Sequence, residues 1–469
     1  MNNPFAALND MPVAMDSFVA MASLFGYPLV DRSGIRRGQD SQLAEAWMME
    51  ASGPELPFPV GQKFYYGSVD WMLSPGSPGK HQAYIVEVNG SNAAGLTDVP
   101  LNCFQKIVEG VGSYFAESPP NYPAVVINSY TGEKNINVHE RVALADGIRA
   151  QYPDIAMHLV NAKALLQGEQ TLSTNSVNMV TGPITFLTEF FSMRGKQLCL
   201  CDQSVIVIIN DLTVDRITKV CPEFDPKNTS TLVMNQIHPF SNFKAAAYEV
   251  MHRRIIPDLK QQGFPIEGFR FWQVDTEEAL KETCRQLVED EKIPLVLKPY
   301  SSSVGVGIQF LTPQMSKIER DEVIQLSLNE SSQRYQKTSD IFPYTLCEFV
   351  ETGLAQFPNL GLNNRKFDIR IFVVKTPEGG LRAIPAVAKL ASSEYDLNSF
   401  YREGLQTNTM RVTQEAAKND KSSVNQVFWT LIRPLNNRDT LLGLGMTELE
   451  LKQLCQMSLH AISVLCDEI

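Results

Sequence analysis

The stretch AYIVEVNGSNAAG, residues 83–95, alternates so that Glu87 and Asn89 project from one face of a strand, while Ile85, Val86 and Val88 mark that strand as part of a core sheet. The run before it, FYYGSVDWML (64–73), reads as a second strand. SPGSPGKHQ between them has the Pro and Gly residues of a hairpin-like loop, which makes Asp70 a neighbour of Glu87 and Asn89. Three converging oxygen-bearing side chains suit Mg²⁺, which takes hard ligands in octahedral geometry and leaves its other positions to water and phosphate. A polar strand face turned to water is the other reading of the same residues.

Outward from this hairpin, the 469-residue chain is long enough for more than one packed unit around a shared cleft. Hydrophobic residues make up 44% and charged residues 20%, which is globular composition. The formal charge of −11, from 41 basic and 52 acidic side chains, opposes non-specific binding to nucleic acid or to an anionic membrane. No uninterrupted apolar run reaches the roughly 18 residues of a membrane span. The eight cysteines are scattered without a Cys-x-x-Cys pair, so they are expected to be buried thiols rather than zinc ligands or disulfides. The N-terminus lacks the basic region of a secretory signal, and the chain is read as cytoplasmic.

Residues 1–60 read as an accessory segment with a proline-rich end. From 124 onward AVVINSY, ERVALADGIRAQ, IAMHLV and SVIVIIN alternate strand and helix patterns, which predicts an α/β layer. Helices are expected over 242–259 and 276–290, flanking a strand in GFRFWQV. A last helix is expected over 448–467, apolar at Leu449, Leu454, Met457, Ala461 and Leu465.

IPLVLKPYSSSVGVGIQFL (293–311) gives strand, loop and strand, with Lys298 closing the first. A small Gly- and Ser-rich loop lets backbone N–H groups approach phosphates while the lysine supplies a point charge. It is not a P-loop, because the lysine precedes the glycines; an ordinary hairpin tip is the bland alternative. In FDIRIFVV, Asp368 and Arg370 share a strand face suited to an anionic ligand, and Lys389 has the same placement one strand later. Taken singly, each of the three is also compatible with a solvated sheet edge.

Together KPYSSSVGVG, CEFVE, DIRIFVV, Thr407 with Asn408, and VDWML with EVNGS resemble the successive motifs of ATP-grasp enzymes. That family includes D-alanine:D-alanine ligase, glutathione synthetase and the ribosomal-protein glutamate ligase. The motifs that come last in the family come first here, which resembles a circularly permuted ATP-grasp fold. The implied fold is α/β (α+β), with ATP between two subdomains that contain antiparallel sheets, plus a pre-ATP-grasp α/β domain. The expected divisions are permuted metal-binding strands over 61–117, the pre-ATP-grasp substrate domain over 118–235, a nucleotide-binding subdomain over 236–350 and a C-terminal subdomain over 351–469.

The resemblance implies that Lys298 contacts ATP phosphates, with Ser301, Ser302, Ser303, Gly305 and Gly307 in the lid above them. Lys244, in NFKAAAYEVM, resembles the earlier nucleotide-contacting lysine, and a solvated helix face explains it equally well. Cys347, Glu348, Phe349 and Val350 would form the adenine hinge, Glu348 or Glu351 would reach ribose, and Asn408 would join the nucleotide site. Arg370 would hold the transferred phosphate, with Asp368 and Lys389 beside it. Asp70, Glu87 and Asn89 would bind two Mg²⁺ ions, replaceable by Mn²⁺. The segment 352–366 is long enough to carry substrate contacts of its own.

The implied reaction is ATP-dependent ligation of a small-molecule carboxylate to an amine, amino acids or peptides, through an acyl phosphate. The family's common homodimer is the oligomer this suggests, with neither nucleic acid nor membrane as partner. A kinase acting on a hydroxyl would share every nucleotide residue. A nucleotide-sensing binding protein is a further alternative, disfavoured by the intact metal-ligand set.

Overall fold

In a computed structural model of the chain, residues 48–59, 61–91, 95–96, 99, 101–117, 120–130, 138–300, 305–335, 341–396, 402–405, 407, 431–435 and 438–469 are described. They form a mixed α/β protein with three sheets. The central sheet is antiparallel and is built around β1 (Tyr66–Leu73), β2 (Ala83–Asn89), β3 (Leu362–Lys375) and β4 (Gly380–Leu390), in the spatial order β2-β1-β3-β4. The hairpin near the N-terminus therefore pairs with strands almost 300 residues downstream. Leu56–Pro57, at the end of the expected accessory segment, adds an edge to β4, whereas residues 1–47 lie outside the described residues.

Period-2 alternation divides this sheet. Val69, Trp71, Ile85, Val88, Ile369, Ile371 and Leu390 face one core, which is closed by α3 (Glu448–Asp467) and by the helical stretch that begins with α2 (Lys244–Val250). The Trp71 indole N–H donates to Ser458 Oγ at 2.8 Å, a partner that a buried indole needs. Thr447 caps α3 in a capping box with Glu450, which sets its start where the sequence pattern placed it. Leu449 is the exception to the expected apolar stripe: it is exposed, and Leu451 is buried in its place. In the first turn the inward-facing positions are occupied by Glu450, which hydrogen-bonds His81, and by Leu451.

The opposite face of the sheet is apolar at one end only. There Tyr66, Phe372, Val374 and Ile384 pack in a second core with α1 (Leu101–Glu117). Its other end carries Asp70, Glu87, Asp368, Arg370 and Lys389. Pro385 lies within β4 opposite Ile371, beside a register shift, where a missing N–H costs least.

The second sheet has a parallel centre, with Met157–Asn161, Val177–Thr181, Ala124–Ile127 and Gln203–Ile208 side by side, as the strand–helix alternation predicts. The third is a four-stranded antiparallel sheet, Phe271–Val274, Tyr344–Glu348, Leu295–Lys298 and Gln309–Leu311 in that spatial order. The eight cysteines are free thiols. Seven are buried, but Cys201 is exposed, at a turn residue with φ 47°.

Candidate active site

Glu87, Asp70 and Arg370 occupy one rank across β2, β1 and β3; Asp368 and Lys389 are paired in the next. Two register shifts adjoin this rank. Val86 is the extra residue in β2 and Ala386 the extra residue in β4, and such bulges re-aim the side chains next to them. The sequence placed these residues on common faces, and the register brings those faces together.

The Arg370 guanidinium grips Asp70 with two bonds, Nε to Oδ1 at 2.7 Å and Nη2 to Oδ2 at 2.5 Å. Lys389 Nζ bridges Asp70 Oδ2 and Asp368 Oδ1, each at 2.9 Å, and Thr407 Oγ1 donates to Asp368 Oδ2. The Asn89 amide reaches Asp70 Oδ2 at 3.4 Å. At the sheet edge Lys244 Nζ lies 2.7 Å from Glu87 Oε1. Burial alone would raise the Asp70 carboxyl, but Arg370 and Lys389 hold it well below the usual carboxylate range. Burial pushes Asp368 the other way, up to about 6, against the pull of Lys389 and with the repulsion of Asp70.

The third sheet is tied to this face through Tyr248, which sits four residues after Lys244 on the same side of one helix. Lys298 Nζ donates to the Tyr248 hydroxyl at 2.8 Å, and that hydroxyl donates to the carbonyl of the bulge residue Val86 at 2.7 Å. Lys298 also lies 5.3 Å from the Tyr248 ring centroid and 5.8 Å from that of Phe269. Two hydrogen bonds thus separate Lys298 from the residue next to Glu87. Tyr248 was not singled out in the sequence; its i+4 spacing from Lys244 was the available signal.

Gly305 and Gly307 stand at φ 71° and 73°, and a Cβ on Gly307 would meet Ser331 Oγ at 2.0 Å, so this turn needs glycine. Its N–H donates to Glu330 at 3.1 Å. Ser301, Ser302, Ser303 and Asn408 lie outside the described residues. In the segment 347–351, expected from the sequence to be a hinge, Cys347 is buried and the Phe349 ring packs edge-on against Phe310 at 6.2 Å. Val350 packs on the core below β1 and β3. Neither carboxylate of this segment stands apart: Glu348 is ion-paired with Arg270, and Glu351 takes Lys366 and the Tyr395 hydroxyl.

Among the described residues no group of three or more His, Cys, Asp or Glu side chains is placed to hold a metal ion. The donors that fit a hard divalent cation are the Glu87 carboxylate, whose side chain keeps 30% exposure, and the Asn89 amide oxygen across one strand position. Two protein ligands with water and phosphate in the remaining positions is a common arrangement for Mg²⁺. Among the described residues no helix is long and apolar enough to cross a membrane.

No protein-family model matches the chain, and no curated protein matches it significantly in sequence. Solved structures that resemble it include a putative gamma-glutamylcysteine synthetase from Methylobacillus flagellatus KT, at 11% identity and TM-score 0.47, over 95% of this chain and 97% of that one. Another is a glutathione synthetase-like effector from Globodera pallida in its apo form, at 12% identity and TM-score 0.39, over 82% and 85% of the two chains.

Proposed function

We propose that this protein is an ATP-dependent enzyme of the ATP-grasp class, circularly permuted, with the segment 118–235 as its pre-ATP-grasp domain. Within that class, we infer that it is a carboxylate–amine ligase that forms an amide bond and releases ADP and phosphate. The observation that carries the reading is the convergence of Lys244, Lys298, Arg370 and Lys389 around the Asp70–Glu87 rank. Four cations contributed by distant segments meet three carboxylates there, Asp70, Glu87 and Asp368, and the positive excess suits a polyphosphate and a transferring phosphoryl group.

In this reading a carboxylate oxygen of the acid substrate attacks the γ-phosphorus of ATP and ADP leaves. The amine then attacks the acyl carbon, phosphate departs with the C–O electron pair, and the amine gives up its proton. Lys298 and Lys244 neutralise the nucleotide phosphates. Arg370 and Lys389 face the transferred group and the oxyanion that forms as the amine adds; such preorganised charge is usually the largest catalytic contribution. Glu87 and Asn89 would hold Mg²⁺, which supplies charge neutralisation of the phosphate oxygens when bound. No nucleophilic Ser or Cys is needed.

The test is a screen of paired amino acids and short peptides with ATP and Mg²⁺, read by ADP release and by new amide masses, and repeated with hydroxylamine. A ligase gives a hydroxamate from its acyl phosphate. A stable phosphate ester that persists in hydroxylamine, with no amide, would assign the protein to the hydroxyl kinases instead.

A further inference from the structure

Asp70 is the most enclosed carboxylate of the rank, and the acceptor positions of its Oδ2 are spent. A carboxylate offers about four lone-pair positions. Arg370 takes one on each oxygen, Lys389 takes another on Oδ2, and the Asn89 amide approaches the same atom at 3.4 Å. Its side chain is 3% exposed, against 30% for Glu87 opposite. A divalent cation on Asp70 would have to displace charge-assisted bonds at Oδ2 or share Oδ1 with the Arg370 guanidinium, and in either place it would sit beside two cations. On Glu87 it would compete with the single ammonium of Lys244.

Resting on the ligase reading above, we propose that Asp70 is a positioning residue that aims Arg370 and Lys389 at the transferring phosphoryl group, and that the divalent metal is held by Glu87 and Asn89 without it. The bidentate grip fixes the plane of the guanidinium, and the bridge of Lys389 between Asp70 and Asp368 fixes the ammonium in the adjacent rank. Both cations are thereby ordered before substrate arrives, which is what electrostatic preorganisation requires.

The test uses the full chain with Mn²⁺ and a non-hydrolysable ATP analogue, with bound Mn²⁺ followed by electron paramagnetic resonance. Glu87→Gln should weaken Mn²⁺ binding at least about tenfold, whereas Asp70→Asn should leave it within about twofold. In the ligase assay Asp70→Asn should lower kcat by roughly 10²-fold while the KM for ATP hardly changes, the pattern expected when only the transition state loses an interaction. Should Asp70→Asn fail to fold, anomalous scattering from wild-type crystals grown with Mn²⁺ and the analogue decides. Mn²⁺ on Glu87 with Asp70 still bonded to Arg370 supports the proposal. Mn²⁺ within about 2.2 Å of an Asp70 oxygen overturns it, as does equal loss of Mn²⁺ binding in both variants. A wild-type protein that binds neither the analogue nor Mn²⁺ would remove the ligase reading itself and the proposal with it.

Discussion

Asp70 and Arg370 are 300 residues apart in the chain and directly opposite each other across β1 and β3, joined by two hydrogen bonds of 2.7 and 2.5 Å. The pair is buried, so each charge depends on the other. Removing one partner of such a pair costs roughly 3–5 kcal/mol, because the other is left buried without it. Arg370→Met should therefore destabilise the protein by about 3 kcal/mol in urea unfolding. Asp70→Asn combined with Arg370→Met should recover a large part of that; a double variant no more stable than the sum of the singles would show that the two side chains are not coupled.

Glu87 is half-buried, the less enclosed carboxylate of the same rank. Glu87→Gln keeps the shape of the side chain and its place on β2, so the melting temperature should change by only a few degrees. ADP formation should nonetheless fall to background, with Mg²⁺ or with Mn²⁺. Full activity in this variant would remove the metal assignment.

Gly90, directly after β2, lies against Asp211. A Cβ built there would come 1.8 Å from Asp211 Oδ2 and 2.8 Å from its Cγ, and Asp211 is itself fixed by Ser241 at 2.7 Å. Gly90→Ala should cost roughly 1–3 kcal/mol or more by overpacking and should displace the end of the strand that carries Glu87 and Asn89. A variant with wild-type stability and unshifted Asn89 resonances would contradict this contact.

Burial pushes the Asp211 carboxyl up to about 6, against the opposing effects of the Ser241 hydroxyl and Arg141. A carboxyl with a folded value above its unfolded value of about 4 holds its proton longer in the folded state, so folding stability falls as pH rises from about 4 to about 6 and stays lower above that. Asp211→Asn cannot ionise and can still accept from Ser241. Its stability relative to wild type should rise across that interval and level off near pH 7, by up to about 3 kcal/mol. Parallel melting curves from pH 4 to pH 7 would refute the linkage.

The hairpin of β1 and β2, the shared face of Asp368 and Arg370, and α3 over Glu448–Asp467 were legible in the sequence. Each rests on a short-range period of 2 or 3.6 residues or on a local signal such as Thr447 before Glu450, and a few neighbouring residues suffice to state it. The sequence also named the charged residues that meet at the site. It did not say which pairs with which. That Arg370 closes on Asp70, that Tyr248 joins Lys298 to the backbone of Val86, and that Glu348 pairs with Arg270 follow from register, from two bulges and from helix packing. Those are set by contacts between segments hundreds of residues apart. A side chain's partner is a property of the packed whole, because the strand opposite it is chosen by burial and register and not by its neighbours in the chain.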